Sequence, residues 1–260
     1  MARAVEMMPL VHEASYRVRF DEAGPDGLLR TSGLMRYAQD VAWRHSTALG
    51  FGREWYLDRG LTWLVRSAEL EVVRGVPMGG DVAARTQVVG QRRVWARRRG
   101  EFRTGDGTLA AWVHTDWVMI DRRGALTRIP DVFGEAFRIP EADGQITRVA
   151  LPPTPDGAIR RRFAVRPHEL DPMDHVNNAV YLDWLEEAIL AADPVGGSAA
   201  IAAAPRRYRL EYAAAADAGM NLADAVWPDG DAGTTWSYRL GVPGGPDVFR
   251  AAVDPAGRVA

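Results

Sequence analysis

Glu169-Leu-Asp-Pro-Met-Asp-His-Val-Asn-Asn-Ala-Val-Tyr-Leu-Asp-Trp-Leu-Glu-Glu-Ala188 sets a crowd of polar side chains directly before a strongly amphipathic helix. Tyr181, Trp184, Leu185, Ala188 and Ile189 recur at spacings of three and four, the period of one buried helix face. Upstream, Phe163-Ala-Val-Arg166 reads as a short strand. Downstream, strand-like runs follow at Arg207–Tyr212, Leu222–Trp227, Thr234–Val242 and Val248–Val253. A strand, a loop, one helix and then several strands is the order of an α+β unit with an antiparallel sheet, not of a parallel βαβ fold.

The same order occurs earlier in the chain. Tyr16-Arg-Val-Arg-Phe20 alternates with period two, and a turn-rich stretch runs from Asp21 to Gly27. From Gly33, the residues Leu34, Tyr37, Ala38, Val41, Ala42 and His45 share one helix face, until Gly50 and Gly52 stop it. Strands are expected at Thr62–Val73, Asp81–Val89, Arg93–Arg103 and Thr108–Asp121, the last two joined by the hairpin turn Thr104-Gly-Asp-Gly-Thr108. Val18-Arg19 against Val165-Arg166, and Tyr37 against Trp184, fall at one offset of 147 residues. Literal identities are few, so the ordered pattern carries the repeat. It predicts an N-terminal module at 1–140, a connection at 141–161 punctuated by Pro152, Pro153 and Pro155, and a C-terminal module at 162–260. The two copies would form one pseudo-dimer.

Composition narrows the classes. The 260 residues carry a net charge of −2, with 47% hydrophobic and 25% charged residues, as in an ordinary globular protein with no basic field for nucleic acid. All 32 basic side chains are Arg. The absence of Cys removes disulfides, thiolate metal sites and a Cys nucleophile. Glu6 and His12 interrupt the N-terminus, and no run approaches the roughly 18 apolar residues of a membrane span, so a cytoplasmic protein is expected. His168 and His175 lack metal-ligand spacing and His12, His45 and His114 are scattered, so no metal is expected. Neither a Gly-x-Ser-x-Gly elbow nor a Gly-x-Gly-x-x-Gly loop is present, and no cofactor is expected.

Asp171, Asp174, His175, Asn177 and Asn178 crowd the start of the helix, where free backbone N–H groups stabilise negative charge such as the oxyanion of acyl transfer. An imidazole and carboxylates beside them supply proton-transfer groups. The plain alternative is that Asp171, Asn177 or Asn178 serves as a turn residue or helix cap, and that a lone His is structural. That accounts for one or two of these residues, not for five. On a helical wheel Asp183 and Glu186 point away from the apolar face. Glu187 lies on the flank, where partial burial would raise its pKa and suit it to act as a base; a solvated helix residue is the equal alternative.

These residues resemble a known signature. Asp171-Pro-Met-Asp-His-Val-Asn-Asn-Ala-Val-Tyr-Leu-Asp-Trp-Leu-Glu-Glu187 is similar to the Asp-x-x-x-His-Val-Asn-Asn-x-x-Tyr-x-x-Trp-x-x-Glu pattern of hotdog-fold acyl thioesterases. In the first module, Leu34-Met-Arg-Tyr-Ala-Gln-Asp-Val-Ala42 with His45, Leu61-Thr-Trp-Leu-Val65, Gly80-Asp81, Trp117-Val-Met-Ile120 and Arg128-Ile-Pro130 resemble the plant and bacterial acyl-ACP thioesterases. The likeness covers roughly residues 12 to 212. It implies an α+β protein of two tandem hotdog modules, each a long helix wrapped by an antiparallel sheet. The first would shape the acyl tunnel and the second would supply catalysis. It further implies hydrolysis of fatty acyl thioesters carried on acyl carrier protein (ACP), with Asp171, His175 and Glu187 as catalytic residues. The backbone of Val176, Asn177 and Asn178 would hold the oxyanion, and Asp171 or Glu187 would activate water.

Two positions depart from the family. Met173 stands where the plant enzymes have Asn, and Ala215 where they have an acid. An acyl-CoA or polyketide-type carrier would leave the same motif, and a non-catalytic acyl-binding module would fit the two departures. The Arg clusters Arg92-Arg93, Arg97–Arg99, Arg160–Arg162 and Arg206-Arg207 are candidates for docking acidic ACP, with plain solubilising charge as the alternative. Trp43, Trp55, Trp63 and Trp112 are candidates for tunnel lining, with core packing as the alternative. A homodimer of such pseudo-dimers is compatible with the reading.

Overall fold

Alternating apolar positions produce strands that bury one face, and two amphipathic helices cover that face. The computed structural model describes residues 11–139, 144–229 and 235–255. The first half contains β1 (Val11–Arg17), α1 (Thr31–Ala48), α2 (Arg53–Arg59), β2 (Leu61–Val72), β3 (Asp81–Gln91), β4 (Trp95–Thr104), β5 (Leu109–Asp121) and α3 (Asp131–Phe137). The second contains β6 (Ile159–Ala164), α4 (Val180–Ala192), α5 (Gly196–Ala202), β7 (Arg206–Tyr212), β8 (Asn221–Asp229), β9 (Thr235–Gly241) and β10 (Asp247–Pro255). All pair antiparallel in one ten-stranded sheet, ordered β1-β3-β4-β5-β2-β7-β10-β9-β8-β6.

The repeat is legible in this order. The sequence β1-β3-β4-β5-β2 of one half recurs as β6-β8-β9-β10-β7 in the other, and β2 pairs with β7 from Ser67↔Glu211 to Val72↔Arg206. Contacts repeat at the 147-residue offset as well. Tyr37 donates to Glu22 Oε2 at 2.7 Å and stacks on Tyr16; Trp184 donates to Glu169 Oε1 at 3.2 Å and packs on Phe163. The helix faces are those the periodicity predicts: Leu34, Tyr37, Ala38, Val41, Ala42 and His45 of α1 are buried, as are Tyr181, Trp184, Leu185, Ala188 and Ile189 of α4.

Three differences have local causes. The first strand lies at 11–17 rather than 16–20: Val18 N–H still donates to Gly80 O in register, but Gly80 N–H turns back to Pro77 O, and a 3-10 turn follows at Phe20–Glu22. Strand β6 begins at Ile159, within the expected connection, where it pairs with Val226. Helices α2, α3 and α5 span seven residues each, too few for a periodic signal. Thr234, the expected start of a strand, lies outside the described residues.

The connecting segment is anchored across the seam between the halves. Thr147 N–H donates to Asp116 Oδ2 at 3.1 Å and Val149 N–H to Glu211 Oε2 at 3.0 Å. Asp116, Ser67 and Glu211 form one row over β5, β2 and β7, and the two acids are 3% and 2% exposed. Arg97 donates to both oxygens of Asp116 at 2.7 and 2.9 Å, so the buried carboxylate is paired. Among the described residues, no helix is long and apolar enough to cross a membrane.

Candidate active site

The polar crowd forms a tight turn between β6 and α4. Asp171 N–H donates to His175 O at 2.8 Å, Asp174 N–H to Asp171 O at 3.0 Å, and a bridge between Leu170 and Val176 closes it. Asp174 sits at its corner with φ 63°. The first half contains the same turn: Gly24 N–H donates to Leu28 O at 2.8 Å, Gly27 N–H to Gly24 O at 2.9 Å, and Ala23 bridges Leu29. Gly27, at φ 73°, occupies the corner. Asp171 and His175 thus correspond to Gly24 and Leu28, and only the second copy bears titratable groups at these places.

His175 has a partner that sequence reasoning missed. Its Nδ1 lies 2.8 Å from Asp217 Oδ1, to which Nδ1–H donates. Beyond β7 the chain runs beside the turn, because Val176 N–H donates to Ala216 O at 2.9 Å. A carboxylate therefore stands beside the imidazole two positions after Ala215, where the family pattern had led us to find none. Its sequence signal is a lone Asp after an alanine run, with nothing to mark proximity to His175. Asp171 Oδ1 accepts from Met173 N–H at 2.8 Å, which fixes its carboxylate at the turn. The Met173 side chain is exposed.

The three expected oxyanion donors are not equivalent. Val176 N–H is bonded to Ala216 O, and Asn177 N–H donates to Glu169 O at 2.9 Å. Both are committed to the fold. Among the described residues, Asn178 N–H has no such acceptor. The two Asn side chains are held by Gln39 of α1: Gln39 Nε2 donates to Asn177 Oδ1 at 3.1 Å and Asn178 Nδ2 donates to Gln39 Oε1 at 3.1 Å. Tyr212 OH donates to Asn178 O at 3.0 Å. The start of α4 is therefore fixed from both halves.

Glu187 is not part of this cluster. Its side chain is 66% exposed and lies 3.9 Å from the Arg161 guanidinium, so the half-buried flank expected for it does not form. The wheel erred at Glu186 too. Helix α4 packs against the sheet on one side and α1 on another: Asp183 pairs with Arg36 at 3.0 Å, and Glu186 Oε1 accepts from Tyr208 OH at 2.6 Å. Burial raises the Glu186 pKa, opposed by the Tyr208 and Thr31 hydrogen bonds and the charge of Arg206.

Asp171, His175, Asn177 and Asn178 border a cavity of about 850 Å³ that extends between α1, α2 and the sheet of the first half. Its lining is mainly apolar, including Leu64, Val65, Val88, Ala96 and Phe133. Trp43 and Trp63 line it, whereas Trp55 packs on Phe51 and Trp112 lies beside His114 under Arg207. The Arg clusters are largely used within the fold: Arg97 binds Asp116, Arg99 binds Glu101, Arg161 binds Asp224 and Arg207 binds Glu71. Among the described residues, no group of three or more His, Asp or Glu is placed to hold a metal ion.

Models of the acyl-ACP thioesterase N-terminal and C-terminal domains match residues 9–137 and 154–222. A chloroplastic dodecanoyl-acyl-carrier-protein hydrolase of Cinnamomum camphora is 26% identical over 262 residues, covering 94% of this chain and 67% of its own. A chloroplastic acyl-acyl-carrier-protein hydrolase of Cuphea viscosissima is 28% identical over 200 residues, 69% of this chain and 47% of its own. The chain thus spans between about half and two thirds of these curated relatives. In fold it is similar to the 12:0-ACP thioesterase of Umbellularia californica, with a TM-score of 0.76, 22% identity and coverage of 95% and 97% of the two chains. It is also similar to an acyl-ACP thioesterase from Bacteroides thetaiotaomicron, with a TM-score of 0.75, 14% identity and coverage of 94% and 97%. These likenesses establish the tandem hotdog fold.

Proposed function

The chain belongs to the acyl-ACP thioesterase family, and on that premise we propose that it hydrolyses fatty acyl thioesters carried on ACP, releasing free fatty acid and the carrier thiol. Residues 1–140 shape the acyl cavity in this reading, and residues 162–260 supply the chemistry. The observation that carries it is the His175–Asp217 pair at the turn that bears Asp171, opening on a mainly apolar cavity of about 850 Å³.

Water attacks the thioester carbonyl carbon, and the C–S bond breaks as the tetrahedral intermediate collapses. Asp171 orients the water. With Nδ1–H donated to Asp217, His175 keeps Nε2 to accept the water proton and return it to the departing thiolate. The Asn178 N–H and the positive end of α4 receive the oxyanion. General acid–base help supplies about 10²–10⁴-fold in rate, and one oxyanion donor on the order of 10²–10³-fold. The test is hydrolysis of an acyl-ACP panel, with free fatty acid read by mass spectrometry, for wild type, Asp171→Ala and His175→Ala. A fall of at least about 10²-fold in both variants supports the assignment. Rates within a few-fold of wild type in both remove it.

A further inference from the structure

Strand β4 carries three consecutive arginines, and pleating sends them to different faces. Arg97 and Arg99 point outward to Asp116 and Glu101. Arg98 points inward, in line with Ala96, Gly100 and Phe102, and is 8% exposed. Its Nη1 donates to His45 Nδ1 at 3.1 Å and Thr86 Oγ1 at 3.2 Å. Among the described residues, Nε and Nη2 have no hydrogen-bond partner and no carboxylate lies within ion-pair distance. Burial lowers the Arg98 pKa to about 10, so the group stays charged at neutral pH.

Arg98 also lines the acyl cavity. Tyr56 and Ser46 stand on the same wall, their hydroxyls 3.0 Å apart, with Trp63 Nε1 donating to Tyr56 OH at 3.1 Å. Arg98, Thr115, Ala68 and Leu210 form one row across β4, β5, β2 and β7, so about 14 Å separates Arg98 from the strand that ends at the site. An apolar chain meeting this wall would leave a buried cation unpaired, which is costly. A carboxylate there would make a bidentate, charge-assisted pair with the free edge of the guanidinium.

We propose that Arg98, with Tyr56 and Ser46, forms a subsite for an acceptor oxygen carried on the acyl chain far from the thioester, a terminal carboxylate being the strongest occupant. The subsite rests on the thioesterase reading for its substrate, but it is tested by binding alone. Calorimetric titration would compare saturated monocarboxylic acids with ω-hydroxy and α,ω-dicarboxylic acids over a series of chain lengths. At the best-fitting length, the dicarboxylic acid is expected to bind wild type at least tenfold tighter than the matched monocarboxylic acid, with the ω-hydroxy acid between them. In Arg98→Met the order reverses, and Arg98→Gln serves if the Met variant melts early. The proposal is overturned if the dicarboxylic acid binds wild type no tighter than the monocarboxylic acid, including the case where neither binds. It is overturned equally if the preference survives both substitutions. Because no turnover is needed, inactivity toward acyl-ACP would count against the proposed reaction and leave this result standing.

Discussion

Asp217 Oδ1 lies 2.8 Å from His175 Nδ1, across 42 residues of chain. The pair fixes the imidazole tautomer, and in the proposed reaction Asp217 is a positioning residue. A hydrogen bond to a charged group contributes about 1.5–3 kcal/mol, and Asp217→Asn is expected to lower kcat by roughly 10–100-fold. Asp217→Glu, which keeps a carboxylate acceptor for Nδ1–H, should recover part of the lost kcat. A purely structural role would lower the melting temperature and leave kcat of the folded enzyme unchanged.

Glu187→Gln is expected to leave kcat/KM within about two-fold of wild type. Its carboxylate is exposed and, among the described residues, meets only Arg161, and such surface pairs contribute about 0–1 kcal/mol. Steady-state hydrolysis at saturating and limiting substrate decides it. A hundred-fold loss would restore the catalytic role suggested by the family signature.

Asp174 occupies the left-handed corner that Gly27 takes in the other half. Asp174→Gly should therefore fold with a melting temperature equal to or slightly above that of wild type. Asp174→Val places a β-branched side chain at positive φ and should cost about 2 kcal/mol. Thermal denaturation of the two variants separates backbone strain from any chemical role of the carboxylate.

Glu186 titrates with a raised pKa, chiefly through burial. Its contribution to stability is present below the ordinary carboxylate range and is lost as pH rises through the elevated value. Glu186→Gln keeps an acceptor for Tyr208 and removes the buried charge. The melting temperature of the variant relative to wild type should rise from acid to neutral pH, by about 2–4 °C for each 1 kcal/mol. A difference independent of pH would sink the prediction.

Much of the fold was legible because periodicity and turn chemistry are local. The α1 and α4 faces, the hairpin at 104–108 and the 147-residue repeat follow from spacing alone. The parts that escaped depend on what lies across space. The Glu186 error arose because a wheel drawn for one buried face ignores a second helix, and α1 occupies that side of α4. Arg97, Arg98 and Arg99 read alike as a basic cluster until the pleat sends one of them inside. Asp217 reached His175 only through the path of the chain after β7. Val176 and Asn177 looked like free donors because their acceptors, Ala216 and Glu169, come from the flanking segments.

The β2–β7 seam makes two unlike halves inseparable. An assembly of identical subunits must repeat every residue at both ends, so a histidine at one turn dictates a histidine at its mate. Tethering lifts that constraint. Leu28 can stand at one turn while His175 stands at the other, and Arg98 resides in a wall with no obligation to appear in its twin. Ancestral symmetry survives in the strand order, while specialisation proceeds one side chain at a time.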